Sequence, residues 1–274
     1  MTEDKNRLDI IVFRNNLATS RERAREYILS GKIYVDGRQV KKCGMKIDNN
    51  ARVEMRGDII PYVSRAGLKL EKALNDFQIK LNNCVCMDVG ASTGGFTQCM
   101  LERGATKVFA IDVGKDQLVE KLKNDERVIS MEETNIKTVT LQDIGEQCDF
   151  VAIDVSFISL QKVIPYVVPI IKEMATGVAL IKPQFEAGRG NHSKKGVIKS
   201  KKVHEEVIES TIEFLRESGL GILGLDYSGI KGQNGNIEYL VYFQLGTDSD
   251  RGYTIKDIRN LVEDSHNKLD LEEL

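Results

Sequence analysis

Met87-Asp88-Val89-Gly90-Ala91-Ser92-Thr93-Gly94-Gly95-Phe96 is the stretch that decides the fold of this chain. The apolar run Val85 to Val89 ends in glycines, and the glycines open into a helical pattern near Gly94. Glycines let the backbone approach a ligand closely, and the unpaired N–H groups at a helix start favour anionic or acceptor groups. A strand–turn–helix of this kind fits several nucleotide binders. The spacing is not the G-x-G-x-x-G of dinucleotide sites, and the G-K-[ST] of a phosphate-binding loop is missing. Asp112 narrows the choice, because it ends the next strand, Val108–Asp112, where a carboxylate can accept both hydroxyls of an adenosine ribose.

Outward from this stretch, apolar strands alternate with helical segments. Strands are predicted at 85–89, 108–112, 128–130, 150–154 and 177–182. Helices are predicted from Gly94, over 114–123, through Leu160 and Ile171, and over 201–217. That alternation implies an α/β fold with a parallel sheet covered on both faces. Segments 223–227 and 237–243 read as a closing antiparallel pair. Ahead of the first strand, Ser64 is placed to cap a helix carrying Leu68, Leu70, Ala73, Leu74 and Phe77.

The first 57 residues have a different rhythm. Leu8, Ile11, Val12 and Leu17 lie at helical spacing, and Thr19-Ser20 can cap a second helix, Arg21 to Leu29, which Gly31 stops. A strand from Lys32, an Asp36-Gly37 turn and a second strand to Val40 follow. The charge is uneven too. Residues 1–60 carry 13 Lys/Arg against 9 Asp/Glu (+4), and the remainder 26 against 32 (−6). A basic segment on an acidic protein suits a polyanionic partner, since phosphate contacts dominate nucleic-acid affinity.

Arg7-Leu8-Asp9, with Ser20-Arg21-x-x-Ala24-Arg25-x-x-Ile28-x-x-Gly31-x-Ile33-x-Val35-Asp36-Gly37, resembles the RNA-binding domain named after ribosomal small-subunit protein S-four. The resemblance implies a small α+β domain that grips structured RNA. The basic residues expected to touch RNA are Arg7, Arg21, Arg23, Arg25, Lys32, Lys41 and Lys42. Arginine suits the task because its planar fork binds phosphate through two N–H groups. The expected layout is therefore an RNA-binding domain at 1–57, a linker at 58–63 marked by Pro61, a catalytic domain at 64–250 and a charged, partly amphipathic tail at 251–274.

Composition excludes several classes. The 274 residues contain no apolar run near the roughly 20 that a bilayer span needs, and the polar N-terminus lacks the apolar stretch of a signal peptide. The five cysteines, Cys43, Cys84, Cys86, Cys99 and Cys148, show no C-x-x-C spacing, so neither a metal nor a disulfide framework is expected. A reducing, cytoplasmic setting without a membrane partner fits best.

Asp88-x-Gly90-x-x-x-Gly94-Gly95-Phe96 followed by Asp112 resembles the first motifs of class I methyltransferases. That resemblance implies a Rossmann-like, S-adenosylmethionine-dependent fold. It implies cofactor contacts from Asp88, Gly90, Ala91, Ser92, Gly94, Gly95, Phe96, Asp112 and Asp154, with Asn135 beside the adenine. Enzymes that methylate exocyclic amines resemble one another in an Asn/Asp-Pro-Pro-aromatic turn, and here the position reads Asp154-Val155-Ser156-Phe157. Methylation of a pyrimidine C5 needs a cysteine at the carboxyl end of the sheet, and none is predicted there. Lys182 ends an apolar strand, Asp154 ends another, Lys69 lies on the helix before the first strand, and Glu238 on a late strand. Their order is similar to the Lys-Asp-Lys-Glu tetrad of FtsJ-like ribose 2′-O-methyltransferases. Near other cations and partly buried, Lys182 would act as a base oriented by Asp154 and Glu238.

Taken with Ser64-Arg65-Ala66-Gly67-x-Lys69-Leu70, Asp154-Val155-Ser156-Phe157-Ile158-Ser159-Leu160 and Ile181-Lys182-Pro183-Gln184-Phe185-Glu186, residues 5 to about 245 resemble the TlyA family. The resemblance implies 2′-O-methylation of cytidines in ribosomal RNA. The interdomain linker departs from the aromatic-bearing tetrapeptide of better-known members, so coupling between RNA docking and cofactor binding is expected to differ. Two other classes remain: a haemolysin, a label such proteins have carried, and a non-catalytic RNA-binding assembly factor.

Overall fold

The computed structural model describes residues 5–18, 20–56, 61–188, 196–246 and 250–271, and the chain falls into two units, Met1–Pro61 and Tyr62–Leu274. In the first, β1 (Lys5–Arg7) leads into α1 (Leu8–Arg14), and α2 (Arg21–Leu29) follows. The helices bury Leu8, Ile11, Val12, Ala24, Tyr27 and Ile28. The Ser20 hydroxyl accepts the Arg23 N–H at 3.1 Å and so caps α2; Thr19, the other half of the expected cap, lies outside the described residues. Next come β2 (Ile33–Val35) and β3 (Arg38–Gln39), turned by Asp36 and Gly37 with φ of 48° and 79°. Successive left-handed residues match the twist of a tight hairpin. β1 and two further strands were not visible in the sequence. The further two are β4 (Lys46–Asp48), paired with β1, and β5 (Val53–Met55), paired with β2. At three residues each they are too short to show alternation.

The second unit begins earlier than the expected linker end. Tyr62 is buried and its hydroxyl donates to Glu71, while the Val63 N–H donates to Gln98. Of the linker assigned to 58–63, residues 58–60 lie outside the described residues. Then follow α3 (Ala66–Asp76), β6 (Val85–Val89), α4 (Gly95–Glu102), β7 (Lys107–Ile111), α5 (Glu120–Lys123), β8 (Val128–Met131), α6 (Leu141–Ile144) and β9 (Cys148–Ile153). After them come α7 (Ile164–Val167), β10 (Ile171–Ile181), α8 (Pro183–Glu186), α9 (Lys201–Glu217), β11 (Leu220–Tyr227), β12 (Tyr239–Leu245) and α10 (Ile255–Leu271). The sheet order is β11-β12-β10-β9-β6-β7-β8. The five strands from β10 to β8 run parallel, and β12 and β11 close the sheet antiparallel, as the late pair in the sequence predicted. One face packs on α3 and α4 through Leu70, Leu74, Phe96 and Met100. The other packs on α9 and α10 through Ile208, Ile212, Ile258 and Val262.

Two predicted helices are shorter than expected, for identifiable reasons. Between 114 and 119 the backbone N–H groups are diverted. Asp112 accepts from Gly114, Glu132 accepts from Gln117 and Leu118, and Asp116 sits at φ 51°. Only 120–123 remain helical. The stretch from 160 to 171 breaks into a 3-10 turn at 160–162, α7 and a second 3-10 turn at 168–170. Pro165 and Pro169, four residues apart, remove the N–H groups a continuous helix would use. The segment read as a tail is instead the 17-residue α10, packed on α9.

A polar knot ties α10 and α9 to β12. The buried His204 Nε2 lies 3.1 Å from the Ile198 carbonyl, which can only accept, so Nδ1 is free to accept from the Tyr239 hydroxyl at 2.7 Å. Ser265 lies 3.1 Å from that hydroxyl and His266 lies 3.3 Å from His204 Nδ1. Burial, reinforced by His266, pushes His204 down to about 4. The unfolded chain therefore binds a proton near pH 6.5 that the folded chain refuses. The associated stability is complete above about pH 6.5 and is lost as pH falls towards 4, by up to about 3 kcal/mol. Melting temperatures measured from pH 7.5 to 4.5 should drop through this window, and His204→Gln should flatten the drop.

Candidate active site

The strand order reverses between β6 and β9, and in open α/β sheets ligands occupy the crevice at the carboxyl ends beside such a reversal. A cleft of about 460 Å³ lies there. It is lined by Gly90 and Ser92 from the glycine turn, Asp112 and Val113 after β7, Thr134 and Asn135 after β8, and Asp154 through Ile158 after β9. Gly90 is obligatory: it sits at φ +91°, and a Cβ there would come within 2.5 Å of the Asp154 carbonyl oxygen. The turns after β6 and β9 are thus pressed together. Asp112 braces the cleft floor by accepting the Ser92 N–H at 2.8 Å and the Gly114 N–H at 2.7 Å. Each of its oxygens keeps capacity for a further donor.

The remaining residues of the glycine motif do not line the cleft; they build it. Ala91 and Phe96 are buried, and Gly94 packs under Leu118 and Leu122. Gly95 faces the start of α3, where a Cβ would meet the Ser64 hydroxyl at 2.3 Å and the Gly67 nitrogen at 3.0 Å. Ser64 therefore packs over α4 rather than capping α3, whose N-cap position is Arg65 with no side-chain cap. Close seating of α3 on α4 carries Lys69 to the sheet edge. Asp88 lies wholly buried beneath the turn, accepting the Thr97 hydroxyl at 2.6 Å through one oxygen. Burial pushes its carboxyl up to about 7 against that hydrogen bond, and Asp154 adds to the rise.

The four residues Lys69, Asp154, Lys182 and Glu238 come together from α3, the end of β9, the end of β10 and the residue before β12. Lys182 Nζ lies 2.6 Å from Asp154 and donates to the Ser156 hydroxyl at 3.2 Å. Lys69 Nζ lies 2.5 Å from Glu238, whose other oxygen accepts from Gln184 at 3.3 Å. Lys69, Lys182 and Glu238 are 8%, 6% and 2% exposed, so these amines do not extend into solvent. For Lys69, burial favours the neutral amine, but Asp154 and Glu238 together outweigh it and hold the amine charged.

Among the described residues, the buried side-chain oxygens without a hydrogen-bond partner are Asp88 Oδ1, Asp154 Oδ1 and Gln184 Oε1. All three belong to this site. The Lys182–Asp154 contact is therefore an ion pair without a well-aligned hydrogen bond. Unmatched buried acceptors cost folding free energy, and here they are concentrated around the charged cluster behind the cleft.

The sequence reading did not single out Ser156, Gln184 or Glu186. Glu186 accepts the Ser159 hydroxyl at 2.5 Å and the Leu160 N–H at 2.8 Å, strapping the loop after β10 to the loop after β9. Its signal was a glutamate within an otherwise apolar Pro-Gln-Phe-Glu turn. Phe157, in the left-handed region at φ 64°, is 86% exposed and lies 5.0 Å from Phe185.

In the first unit, Arg7, Arg21 and Arg25 are gathered on Asp9, and Lys41 and Lys42 are exposed. Arg23, placed by sequence among the RNA contacts, is instead buried, with its Nε donating to the Tyr27 hydroxyl at 3.1 Å. It faces inward because it lies on the same side of α2 as Tyr27, four residues on. Lys32 is half-buried. Among the described residues, no group of three or more His, Cys, Asp or Glu is placed to hold a metal ion.

Residues 62–245 match the FtsJ-like methyltransferase family and residues 6–53 match the S4 domain family. The chain is 40% identical to YqxC of Bacillus subtilis (strain 168), described as a candidate rRNA methyltransferase, over 98% of this chain and 97% of that one. It is 37% identical to TlyA of Mycobacterium tuberculosis, named a 16S/23S rRNA (cytidine-2′-O)-methyltransferase, over 93% and 95% of the two chains. A solved structure described as a candidate hemolysin from Streptococcus thermophilus matches with a TM-score of 0.80 and 38% identity over 99% of both chains.

Removing one partner of a buried pair strands the other, at a cost of about 3–5 kcal/mol. Lys69→Met should lower stability in urea by about that amount. Lys69→Met combined with Glu238→Leu should recover most of it.

Proposed function

The chain belongs to the FtsJ-like methyltransferase family, and from that premise we propose that it is a TlyA-type rRNA methyltransferase that transfers a methyl group to the 2′-hydroxyl of cytidine. S-adenosylmethionine, the donor in this reading, supplies an electrophilic methyl group. The observation that carries the reading is the convergence of Lys182, Lys69 and Glu238, all buried and paired, behind Asp154, which itself lines the cleft.

The residues of the glycine turn suit an adenosine donor. Asp112 offers acceptor capacity for the ribose hydroxyls, Asn135 and Thr134 stand where an adenine edge would lie, and Gly90 leaves backbone exposed to the ligand.

The acceptor chemistry follows from the charges. A ribose hydroxyl must shed its proton as its oxygen is methylated, and a positioned base contributes typically 10²–10⁴-fold. Lys182 is the base of this reading: its ammonium, paired with Asp154 at 2.6 Å, first gives up a proton to solvent, the amine then takes the hydroxyl proton, and Asp154 stabilises the ammonium that re-forms. Lys69 stays a fixed cation between Asp154 and Glu238 and so shapes the field rather than accepting a proton. Phe157 presents an exposed aromatic face at the cleft mouth, suited to stacking on a base taken out of its helix. The S4 domain, with its exposed basic residues, docks ribosomal RNA, which places the protein in the cytoplasm with ribosomes.

The hemolysin name carried by a related structure has no counterpart in an apolar spanning element: no helix among the described residues is long and apolar enough to cross a membrane. An assembly factor without catalysis would have no use for buried, oppositely charged pairs at a cofactor cleft.

Lys182→Ala decides between enzyme and assembly factor. Methyl incorporation into ribosomal RNA should fall at least about 100-fold, with cofactor affinity nearly unchanged. A wild-type rate would overturn the mechanism, and RNA binding by the wild-type protein without any incorporation would favour the assembly factor.

A further inference from the structure

Asp9 is a fully buried carboxylate on a face otherwise rich in arginine. Its two oxygens accept four N–H groups: Arg7 Nε at 3.0 Å, Arg7 Nη2 at 3.2 Å, Arg21 Nη2 at 3.2 Å and the Ile10 amide at 3.1 Å. Arg25 Nε completes the group at 3.4 Å. The arginine side chains themselves are 40%, 50% and 53% exposed. Beneath them the acid is out of reach of solvent. A carboxylate has about four lone-pair sites, so Asp9 is saturated, whereas each guanidinium carries five donors and retains some facing outward. The hydrogen bond from Arg7, more than any other contact, holds the acid below the usual carboxylate range, and Arg21 adds to it.

The neighbouring loop is locked to the same cluster. The Cys43 carbonyl accepts the Asp9 N–H at 3.3 Å, the Cys43 thiol donates to the Arg25 carbonyl at 3.6 Å, and Gly44 lies beside the Arg7 guanidinium. Lys41 and Lys42 precede this contact and are exposed.

A negative charge at the centre of a phosphate-binding face weakens Coulomb attraction. It is useful there only if it orders what surrounds it. We propose that Asp9 is a positioning residue for RNA: a buried anion that holds Arg7, Arg21 and Arg25 in one preformed fork, so that their outward donors meet adjacent backbone phosphates of structured RNA. The inference rests on the reading of this chain as an rRNA-binding enzyme. Three long side chains ordered in advance lose less freedom on binding. The same site built from free arginines would attract RNA more strongly at long range and hold it less firmly.

The two effects of removing the acid have opposite signs, which makes the test decisive. Asp9→Asn adds one positive charge, so electrostatics alone predicts tighter binding. Preorganisation predicts weaker binding, by at least about 10-fold for three released side chains. The full-length protein should be titrated against purified small and large ribosomal subunits across a salt series. With Asp9→Asn the salt dependence should also become shallower, by roughly one phosphate contact.

Asp9 lies in the first turn of α1, so the amide variant is checked for folding by circular dichroism and by cofactor binding in the second unit. Asp9→Glu supplies an independent reading, because it keeps the charge and moves the carboxylate by one methylene. It should weaken subunit binding as well. Unchanged or tighter binding by a folded Asp9→Asn protein, or wild-type binding by Asp9→Glu, would overturn the inference. Failure of the wild-type protein to bind either subunit would instead remove the rRNA-binding reading on which it rests.

Discussion

Two buried ion pairs, Lys182 with Asp154 and Lys69 with Glu238, are the constraint around which the second unit is arranged. Burying three of these four charges, and Asp154 in part, costs several kcal/mol per ion unless partners and geometry compensate. Compensation is visibly incomplete, since Asp154 and Gln184 each keep a buried oxygen without a hydrogen bond. A fold shaped for stability alone would place apolar side chains at these positions. The cluster makes sense as the working edge of an enzyme, where unmet acceptors and close amines wait for substrate.

The frame around those pairs explains much of the remaining architecture. β9 and β10 are adjacent parallel strands, so Asp154 and Lys182, each just past its strand end, project at the same edge. Glu186 straps their loops together. Lys69 arrives from the opposite face because Gly95 lets α3 sit close on α4. Glu238 is fixed by the strand that follows it, and Tyr239 at the start of that strand is anchored through His204 and Ser265 to α9 and α10. The C-terminal helix thus bears on the position of a candidate catalytic carboxylate without touching the cleft.

Legibility in the sequence followed the strength of local signals. The parallel strands were readable because buried strands such as Val178-Ala179-Leu180-Ile181 are continuous apolar runs, and α9 because its apolar face repeats over 17 residues. Asp154 and Lys182 were readable through their positions at strand ends, Lys69 and Glu238 only through the resemblance of their order to a known tetrad. What escaped was decided by tertiary contacts. Glu132 unwound the expected helix at 114–119 by taking two of its amides, three-residue strands in the first unit gave no period, and Arg23 turned inward to Tyr27. The glycine motif was located correctly, yet Ala91, Gly94, Gly95 and Phe96 shape the cleft from behind instead of lining it. Strand-end spacing can place a residue near a site; only packing shows which way it faces.

Which atom receives the methyl group separates a ribose methyltransferase from a base methyltransferase. Ribosomal RNA methylated by the purified protein with radiolabelled S-adenosylmethionine can be hydrolysed in alkali, which cleaves the chain only where a free 2′-hydroxyl is available. A methylated ribose leaves the label in an alkali-stable dinucleotide beginning with cytidine, and that is the predicted product. Label recovered in single nucleotides would place the methyl group on a base, and the paired lysines and carboxylates would then need a different explanation.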